Sequence, residues 1–285
     1  MEIVTTPGAM RAWRRSAQDA VGCVPTMGYL HEGHLSLVRE SKRENARTVV
    51  SIFVNPTQFG PGEDFEKYPR DAERDLSLLR EAGVDAVYMP TPATIYPEGY
   101  QTYVTVEEVS QRLEGEARPG HFRGVATVVL KLLNAVEPDR AYFGRKDAQQ
   151  LRVLQRMTKD LDLAVQIVPC PIVRESDGLA MSSRNVFLTP EQRNAAPILY
   201  AALNDARERF QHGVRDAATL RAVVRATISH APLAKVEYVS VADDESLGEL
   251  NGAIRCPALL SLVARFGNTR LLDNVELARR VPISR

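Results

Sequence analysis

The sequence predicts an α/β fold, a Rossmann-like doubly wound parallel sheet, followed by a second, smaller α+β domain. Up to about residue 175, short apolar runs alternate with amphipathic stretches, the pattern of parallel strands joined by crossover helices. Beyond that point, long helical patterns precede strand-like runs. We therefore predict one domain over residues 1–174 and another over residues 175–285.

Five strands and four helices are predicted in the first domain. The strands are placed at residues 22–25, 48–54, 86–89, 140–143 and 164–169. The helices are placed at residues 35–45, 71–82, 124–136 and 147–160. In such a sheet the ligand binds beyond the carboxyl ends of the strands, where the strand order reverses. Functional motifs are therefore expected in the loops that follow strands.

The second domain is predicted to contain two helices and three strands. The helices are placed at residues 190–212 and 217–230, and the strands at 235–241, 259–266 and 270–272. Gly267-Asn268 lies between the last two strands and is typical of a tight hairpin turn.

Charge and cysteine content narrow the class of function. The 36 basic and 36 acidic side chains of this 285-residue chain cancel, so it lacks the net positive field of most nucleic-acid-binding proteins. The three cysteines are far apart and form no Cys-x-x-Cys pair, which argues against disulfides and zinc knuckles. No apolar run is long enough to span a bilayer. We expect a cytoplasmic protein that acts on small molecules, without a nucleic-acid or membrane partner.

The strongest functional signal follows the first predicted strand, in the loop Pro25-Thr26-Met27-Gly28-Tyr29-Leu30-His31-Glu32-Gly33-His34. Two histidines three residues apart at a helix start project to the same side. The backbone N–H groups and the positive dipole end favour an anion there, and the glycines let a phosphate approach closely. Imidazoles add hydrogen-bond donors for phosphate oxygens whose charge grows during nucleotidyl transfer. The loop is interpreted as a triphosphate site.

Two other interpretations of this loop stay open at this point. A zinc protease helix needs His-Glu-x-x-His with a spacing of four, whereas His31 and His34 are three apart. Both histidines could also be satisfied structural residues. The sequence contains neither a P-loop nor a Gly-x-Gly-x-x-Gly motif, so this loop is the main phosphate candidate.

Three further clusters carry polar side chains in comparable positions. Gly144-Arg145-Lys146-Asp147 follows a predicted strand and opens a helix, and its lysine suits a polyphosphate. Met181-Ser182-Ser183-Arg184 offers two hydroxyls and a guanidinium for phosphate oxygens. Asn55-Pro56-Thr57-Gln58 places two amides after a strand, where they suit the hydroxyls and carboxylate of a polar substrate. Surface loops and loop caps are the alternative interpretations of these clusters.

The four clusters, in this order and spacing, resemble the pantothenate synthetase (pantoate–β-alanine ligase) family of the His-x-Gly-His, or HIGH-type, nucleotidyltransferase superfamily. The resemblance covers nearly the whole chain. Further matching motifs are Tyr68-Pro69-Arg70, Leu113-Glu114-Gly115, Arg118-Pro119-Gly120-His121-Phe122 and Leu271-Leu272-Asp273-Asn274.

The resemblance implies ATP as a substrate, with Mg2+ on its phosphates rather than in a protein-only cage. His34, His31 and Lys146 would be catalytic. ATP would lie against Pro25 through His34 and contact Gly144, Arg145, Lys146, Asp147, Val173, Met181, Ser182, Ser183 and Arg184. Gln58 and Gln150 would hold pantoate, Gln58 would also lie near β-alanine, and Asn55 and Arg118 would shape the same pocket. The first domain would bind ATP and pantoate, the second would close over the active site, and the protein would be a homodimer.

The resemblance also implies the chemistry, the condensation of (R)-pantoate with β-alanine through a pantoyl-adenylate. That intermediate needs protection from water, and we expect the glycine-bounded stretch 60–70 to act as a lid. Arg145 and Thr57 depart from residues that are common in relatives, which puts only local charge and packing in question. Another nucleotidylyltransferase of the superfamily, an aminoacyl-tRNA synthetase and a non-catalytic ATP-binding module are the competing interpretations.

Overall fold

Six parallel strands form the sheet of the first structural unit, Met1–Val173. The computed structural model describes residues 1–278. The strands are β1 (Glu2–Val4), β2 (Val21–Thr26), β3 (Arg47–Ile52), β4 (Ala86–Tyr88), β5 (Arg140–Gly144) and β6 (Gln166–Cys170). Their order in the sheet is β1-β4-β3-β2-β5-β6. The chain proceeds in one direction from β2 to β4 and in the other from β5 to β6, so the strand order reverses between β2 and β5.

Helices connect these strands. They are α1 (Pro7–Ser16), α2 (Glu32–Glu44), α3 (Ala72–Glu81), α4 (Pro92–Ile95), α5 (Glu114–Ala117), α6 (His121–Val136) and α7 (Ala148–Asp160). The predicted parallel sheet is confirmed, and each predicted strand and helix of this unit is present with shifted ends. β1, α1, α4 and α5 were not predicted. Thr6 caps α1 by accepting a hydrogen bond from the Ala9 N–H, and Pro7 occupies its first turn, where a missing N–H costs nothing.

The core between the sheet and its helices is apolar. Val24 of β2 and Val50 of β3 pack in one buried cluster with Leu37 of α2 and Leu79 of α3. Because both faces of a parallel sheet are covered, β2 and β4 are apolar runs rather than alternating ones. This packing fixes the strand ends from which the functional loops emerge. Among residues 1–278, no helix has both the length and the apolar character needed to cross a bilayer.

The second unit begins at Arg174 and contains a three-stranded antiparallel sheet. Its helices are α8 (Pro190–Ala195), α9 (Ile198–Gln211) and α10 (Ala217–Ile228), and its strands are β7 (Ala234–Asp243), β8 (Ala258–Phe266) and β9 (Thr269–Ala278). The strand order is β7-β8-β9. The predicted hairpin turn is confirmed, because Phe266 and Thr269 pair across Gly267-Asn268.

Two predictions in this unit were wrong in extent. The single helix predicted over 190–212 is two helices that meet at Pro197, because proline has no N–H to continue the helix and its ring crowds the preceding turn. The last strand was predicted to end at Leu272, but it continues through Asp273 to Ala278. Asp273 is buried in the strand because both carboxylate oxygens accept hydrogen bonds from the Arg174 guanidinium, at 2.6 and 2.9 Å.

Candidate active site

The loops after β2 and β5 emerge at the same edge of the sheet. The two strands are parallel neighbours, with Gly22 opposite Arg140 and Cys23 opposite Ala141. The first loop leads into α2, and the second passes through a short 3-10 helix, Arg145–Asp147, into α7. Two helix N-termini therefore follow the two strands at which the order reverses.

His31 and His34 form a reciprocal cap at the start of α2. The Nδ1 atom of His31 accepts a hydrogen bond from the Gly33 N–H at 3.1 Å, and the Nδ1 atom of His34 accepts from the His31 N–H at 3.3 Å. The ring centroids lie 4.0 Å apart. Since each Nδ1 atom accepts, the proton of each neutral ring is assigned to Nε2. Both imidazoles therefore carry an Nε2–H donor at the end of the ring away from the capped backbone.

The electrostatics keep His34 neutral. Its pKa is lowered from 6.5 to about 3, first by burial and then by the electrostatic influence of His31 and Lys146. At neutral pH His34 is therefore a donor without a net charge. Lys146 lies in the loop after β5, the strand that pairs directly with β2. Lys146 supplies the fixed positive charge, and its Nζ atom lies 3.7 Å from the Asp147 carboxylate.

The turn between β2 and α2 is held by a residue that the sequence analysis missed, Asp75 of α3. Its Oδ2 atom accepts from the Tyr29 N–H and its Oδ1 atom from the Leu30 N–H, both at 2.7 Å. The neighbouring Arg74 donates to the Leu30 carbonyl at 2.9 Å. An aspartate in the first turn of a helix normally complements the helix dipole, so nothing in the sequence marked this one as different.

The predicted residues Pro25 and Thr26 end β2 rather than lying in the loop. The Thr26 hydroxyl donates to the Ser51 carbonyl at 2.7 Å and accepts from the Gly28 N–H at 3.2 Å. Thr26 thus ties the beginning of the loop to β3.

The loop after β3 carries Asn55 and Gln58. The Asn55 side chain, 1% exposed, donates to Gln58 Oε1 and to the Gly124 carbonyl, both at 3.1 Å, and accepts from the Tyr96 hydroxyl at 2.8 Å. Gln58 Nε2 in turn donates to the Met27 sulfur at 3.1 Å. Asn55 therefore acts as a scaffold that orients Gln58 beside the histidine-bearing loop.

Gly124 lets α6 approach this loop. A Cβ atom at Gly124 would lie 2.3 Å from the Thr57 carbonyl oxygen and 2.7 Å from the Gln58 nitrogen. No side chain fits at that position without moving the backbone of Gln58. The Thr57 hydroxyl, at the position where the sequence departs from relatives, bonds Asn55 Oδ1 and the Tyr96 hydroxyl, both at 3.0 Å.

Arg118 braces the same loop from the other side. Its guanidinium donates to both carboxylate oxygens of Glu63, at 2.7 and 2.6 Å, and to the Gln58 carbonyl at 3.3 Å. His121 Nδ1 also donates to the Gln58 carbonyl at 2.8 Å, while its Nε2 atom lies 3.2 Å from Arg118 Nη1. Burial, followed by the charge of Arg118, lowers the pKa of His121 to about 4, so this histidine is neutral. Glu63 and His121 were not assigned a role from the sequence.

The two glutamines at the start of α7 differ in their surroundings. Gln149 is buried and fixes the preceding segment, because it accepts from the Glu114 N–H at 2.9 Å and donates to the Arg112 carbonyl at 2.6 Å. Gln150 is half-buried, and its amide makes no hydrogen bond within residues 1–278. Gln150, not Gln149, therefore keeps an amide available for a ligand.

The remaining predicted residues lie at or beyond the end of the first unit. Val173 is its last residue, and Met181, Ser182, Ser183 and Arg184 belong to the second unit. Ser182 caps a 3-10 helix, Ser183–Phe187, by accepting from the Arg184 N–H at 3.3 Å. In residues 1–278, no group of three or more His, Cys, Asp or Glu side chains is arranged to hold a metal ion.

The model of the family described as pantoate-beta-alanine ligase matches residues 2–276. The chain belongs to the pantoate-beta-alanine ligase family. A relative from Roseiflexus castenholzii named pantothenate synthetase is 57% identical, covering 97% of this chain and 99% of its own. One from Acetivibrio thermocellus with the same name is 52% identical, covering 96% and 99%.

Solved structures of family members share the fold. Pantothenate synthetase from Thermus thermophilus matches with a TM-score of 0.93 and 47% identity, over 98% of this chain and all of its own. Pantoate-beta-alanine ligase from Francisella tularensis, complexed with beta-gamma ATP and beta-alanine, matches with a TM-score of 0.80 and 34% identity, over 97% and 98%. The family predicted from the four clusters is confirmed, and with it the enzyme class, a pantothenate-forming ligase.

Proposed function

We propose that this chain condenses (R)-pantoate with β-alanine to give pantothenate, through a pantoyl-adenylate, with release of AMP and pyrophosphate. The observation that carries the proposal is the pair of imidazole Nε2–H donors at the start of α2, beside Lys146. Neutral donors, a helix N-terminus and one ammonium group together suit the charge of a triphosphate. Family membership supplies the identity of the two other substrates.

The first step needs orientation more than proton transfer. Pantoate is already a carboxylate at neutral pH, so it attacks the α-phosphorus without a general base. The P–O bond to pyrophosphate breaks as the bond to the carboxylate oxygen forms. His34 and His31 donate to the phosphate oxygens, and Lys146 offsets the growing negative charge. The donors are held by backbone hydrogen bonds before the substrate arrives, so they need no reorganisation during the reaction.

ATP contacts are proposed for two sets of residues. In the first unit they are Pro25 through His34, Gly144 through Asp147 and Val173. In the second unit they are Met181, Ser182, Ser183 and Arg184. Mg2+ is proposed to arrive on the ATP phosphates, because phosphate oxygens and water satisfy its octahedral geometry.

The pantoate pocket is proposed at Gln58 and Gln150, whose amides suit hydroxyl and carboxylate groups. Asn55 and Arg118 shape it through Gln58, since their own hydrogen bonds go to Gln58 and its surroundings. β-Alanine is proposed to bind near Gln58 as well. The bound state of the Francisella tularensis relative, with beta-alanine, supports a site for the amine in this family. A cytoplasmic homodimer is proposed from the resemblance to the family.

Product analysis tests the function. The purified protein is incubated with ATP, Mg2+, pantoate and β-alanine, and we expect AMP, pyrophosphate and pantothenate in equal amounts. Omission of β-alanine should limit pyrophosphate to about one equivalent per site and leave AMP unreleased, because the AMP group stays in the adenylate until the amine arrives. ADP and phosphate as products would contradict adenylate chemistry. Nucleotide binding without any product would favour the non-catalytic module, and continuous nucleotide-linked product without amine would favour another nucleotidylyltransferase.

A further inference from the structure

We propose that Asp75 is a positioning residue for adenylation, which acts by fixing the main chain that leads into the histidine cap. The inference rests on the proposed function. Asp75 lies on α3, outside the four motif clusters. Its two carboxylate oxygens each accept one backbone N–H, from Tyr29 and Leu30 at 2.7 Å. The next residue along the chain, His31, is the cap of α2.

Arg74 completes the grip from the same turn of α3. It donates to the Leu30 carbonyl at 2.9 Å, and its guanidinium carbon lies 5.6 Å from the centre of the Tyr29 ring. Three backbone groups at Tyr29 and Leu30 are therefore held by α3: the two N–H groups donate to Asp75 and the Leu30 carbonyl accepts from Arg74. A carboxylate that binds backbone N–H groups makes strong, charge-assisted hydrogen bonds.

The backbone needs this support because it is strained. Gly28 has φ +80°, and the next residue, Tyr29, has φ +51° although it carries a side chain. A left-handed conformation costs an ordinary residue about 1–2 kcal/mol, so surrounding contacts must hold it. A Cβ atom at Gly28 would lie 3.0 Å from Asp75 Oδ2 and 3.1 Å from Ile52, so the turn also packs closely on α3 and β3.

Burial of the Asp75 carboxylate is unfavourable unless its oxygens make hydrogen bonds such as those to Tyr29 and Leu30. The residue is 1% exposed, and burial raises the pKa of its carboxyl group while the two backbone hydrogen bonds oppose that rise. A buried carboxylate is tolerated when its hydrogen bonds are made, and here the partners belong to the phosphate loop. Displacement of donor groups by about 1 Å costs on the order of a hundredfold in rate. Release of the turn should therefore impair the step that uses the histidines.

The test uses three variants of the full-length protein. Asp75→Asn keeps the shape but turns an NH2 group toward a backbone N–H. Arg74→Gln removes the hydrogen bond from the guanidinium to the Leu30 carbonyl. Arg74 is exposed, so we expect this variant to fold. Asp71→Ala is the matched control, because it removes the cap of α3, which accepts from the Arg74 N–H, and leaves Tyr29 and Leu30 alone. Loss of that cap destabilises α3 by about 1 kcal/mol.

Two half-reactions are measured separately. Adenylation is followed as pyrophosphate released in a single turnover with ATP and pantoate, and amide formation is followed with supplied pantoyl-adenylate and β-alanine. We expect Asp75→Asn to slow adenylation about a hundredfold and amide formation less than tenfold, because only the first step involves the whole triphosphate. Arg74→Gln should slow adenylation by a smaller factor, about fivefold, with the same selectivity. Asp71→Ala should lower the melting temperature and leave both rates near those of the unmodified protein.

The outcomes separate this inference from the function on which it rests. If the unmodified protein forms no AMP and pyrophosphate, the proposed function fails. If that protein is active but a folded Asp75→Asn variant adenylates normally, or loses both half-reactions equally, the positioning role is overturned. If Asp75→Asn does not fold, Arg74→Gln decides, and an unchanged ratio of the two half-reactions in that variant rejects the role.

Discussion

Glu63 and Arg118 are joined by two parallel hydrogen bonds, with Arg118 Nε 2.7 Å from Oε1 and Nη2 2.6 Å from Oε2 of the carboxylate. Glu63 belongs to the 60–70 stretch, and Arg118 precedes α6. The same guanidinium reaches the Gln58 carbonyl. A segment that we expect to act as a lid is thus tied through Arg118 to the backbone of Gln58, a proposed substrate-binding residue.

Weakening this tie should make the intermediate leak. Glu63→Gln retains one hydrogen bond but loses the charge, and we expect AMP formation to exceed pantothenate formation at limiting β-alanine, about twofold or more. The reason is that an acyl-adenylate exposed to water hydrolyses before the amine arrives. The measurement is the AMP-to-pantothenate ratio.

Glu66→Gln provides the matched control, because it removes a carboxylate from an exposed position in the same stretch. That variant should keep the ratio at one. Shortening the 60–70 stretch should raise the ratio further while ATP binding is retained. A ratio of one after shortening, with turnover preserved, would show that the pocket alone protects the intermediate.

His34→Ala should lower adenylation by about two to four orders of magnitude, the loss typical of removing a transition-state donor. The variant also removes the acceptor for the His31 N–H, so unfolding is measured in parallel. His34→Gln restores a polar side chain without the imidazole and should remain slow. Near-normal single-turnover adenylation in either folded variant would reject the role of His34.

The neutral histidines predict a pH dependence of stability. The pKa of His34 falls from 6.5 to about 3 on folding, and that of His121 to about 4. Below about pH 6.5 these histidines bind protons in the unfolded chain but remain neutral in the folded protein. The free energy of unfolding therefore decreases as the pH falls from about 6.5 toward the folded-state pKa values. The melting temperature of His34→Gln should therefore decline less between about pH 7 and pH 5 than that of the unmodified protein. Parallel declines in the two proteins would contradict the low pKa of His34.

Gly124→Ala should disturb the proposed pantoate pocket through the packing of α6 against the Gln58 loop. Its Cβ atom would overlap the Thr57 carbonyl, so α6 and the Gln58 loop must separate, at a cost of about 1–3 kcal/mol. We expect a lower melting temperature and a higher KM for pantoate, with the KM for ATP less affected. Gly8→Ala is the control, because a Cβ atom there meets nothing within 4 Å and the change should stabilise α1 by about 0.5–1 kcal/mol.

Local signals in the sequence were sufficient to locate the two-part architecture and the histidine cap. Strand-loop-helix transitions leave a change of hydrophobic period, and His31 and His34 lie within a single turn. The local sequence pattern gave a wrong prediction where the burial of a charged residue depended on a partner far away in the sequence. Asp273 ended the predicted last strand too early because its partner, Arg174, is 99 residues away.

Asp75 illustrates the same limit within the site. Its sequence neighbours describe an ordinary amphipathic helix, and only the contact with Tyr29, 46 residues earlier, reveals what the carboxylate does. For Arg118, the family resemblance and the observed hydrogen bonds give different kinds of information. The resemblance placed it near the substrate, whereas its hydrogen bonds show that it holds Glu63 and the Gln58 backbone.

The pairing of β2 with β5 has a consequence for how the enzyme acquires its activity during folding. The Val21 N–H donates to the Asp139 carboxylate at 2.8 Å across a separation of 118 residues, so the two halves of the proposed phosphate site meet only after a long loop has closed. Closing such a long loop loses more conformational entropy than forming a local helix, and long-range parallel pairing is therefore slow. On the ribosome, β5 emerges after β2, β3 and β4. We therefore expect the local helices to form early and the proposed nucleotide site to be completed late in folding.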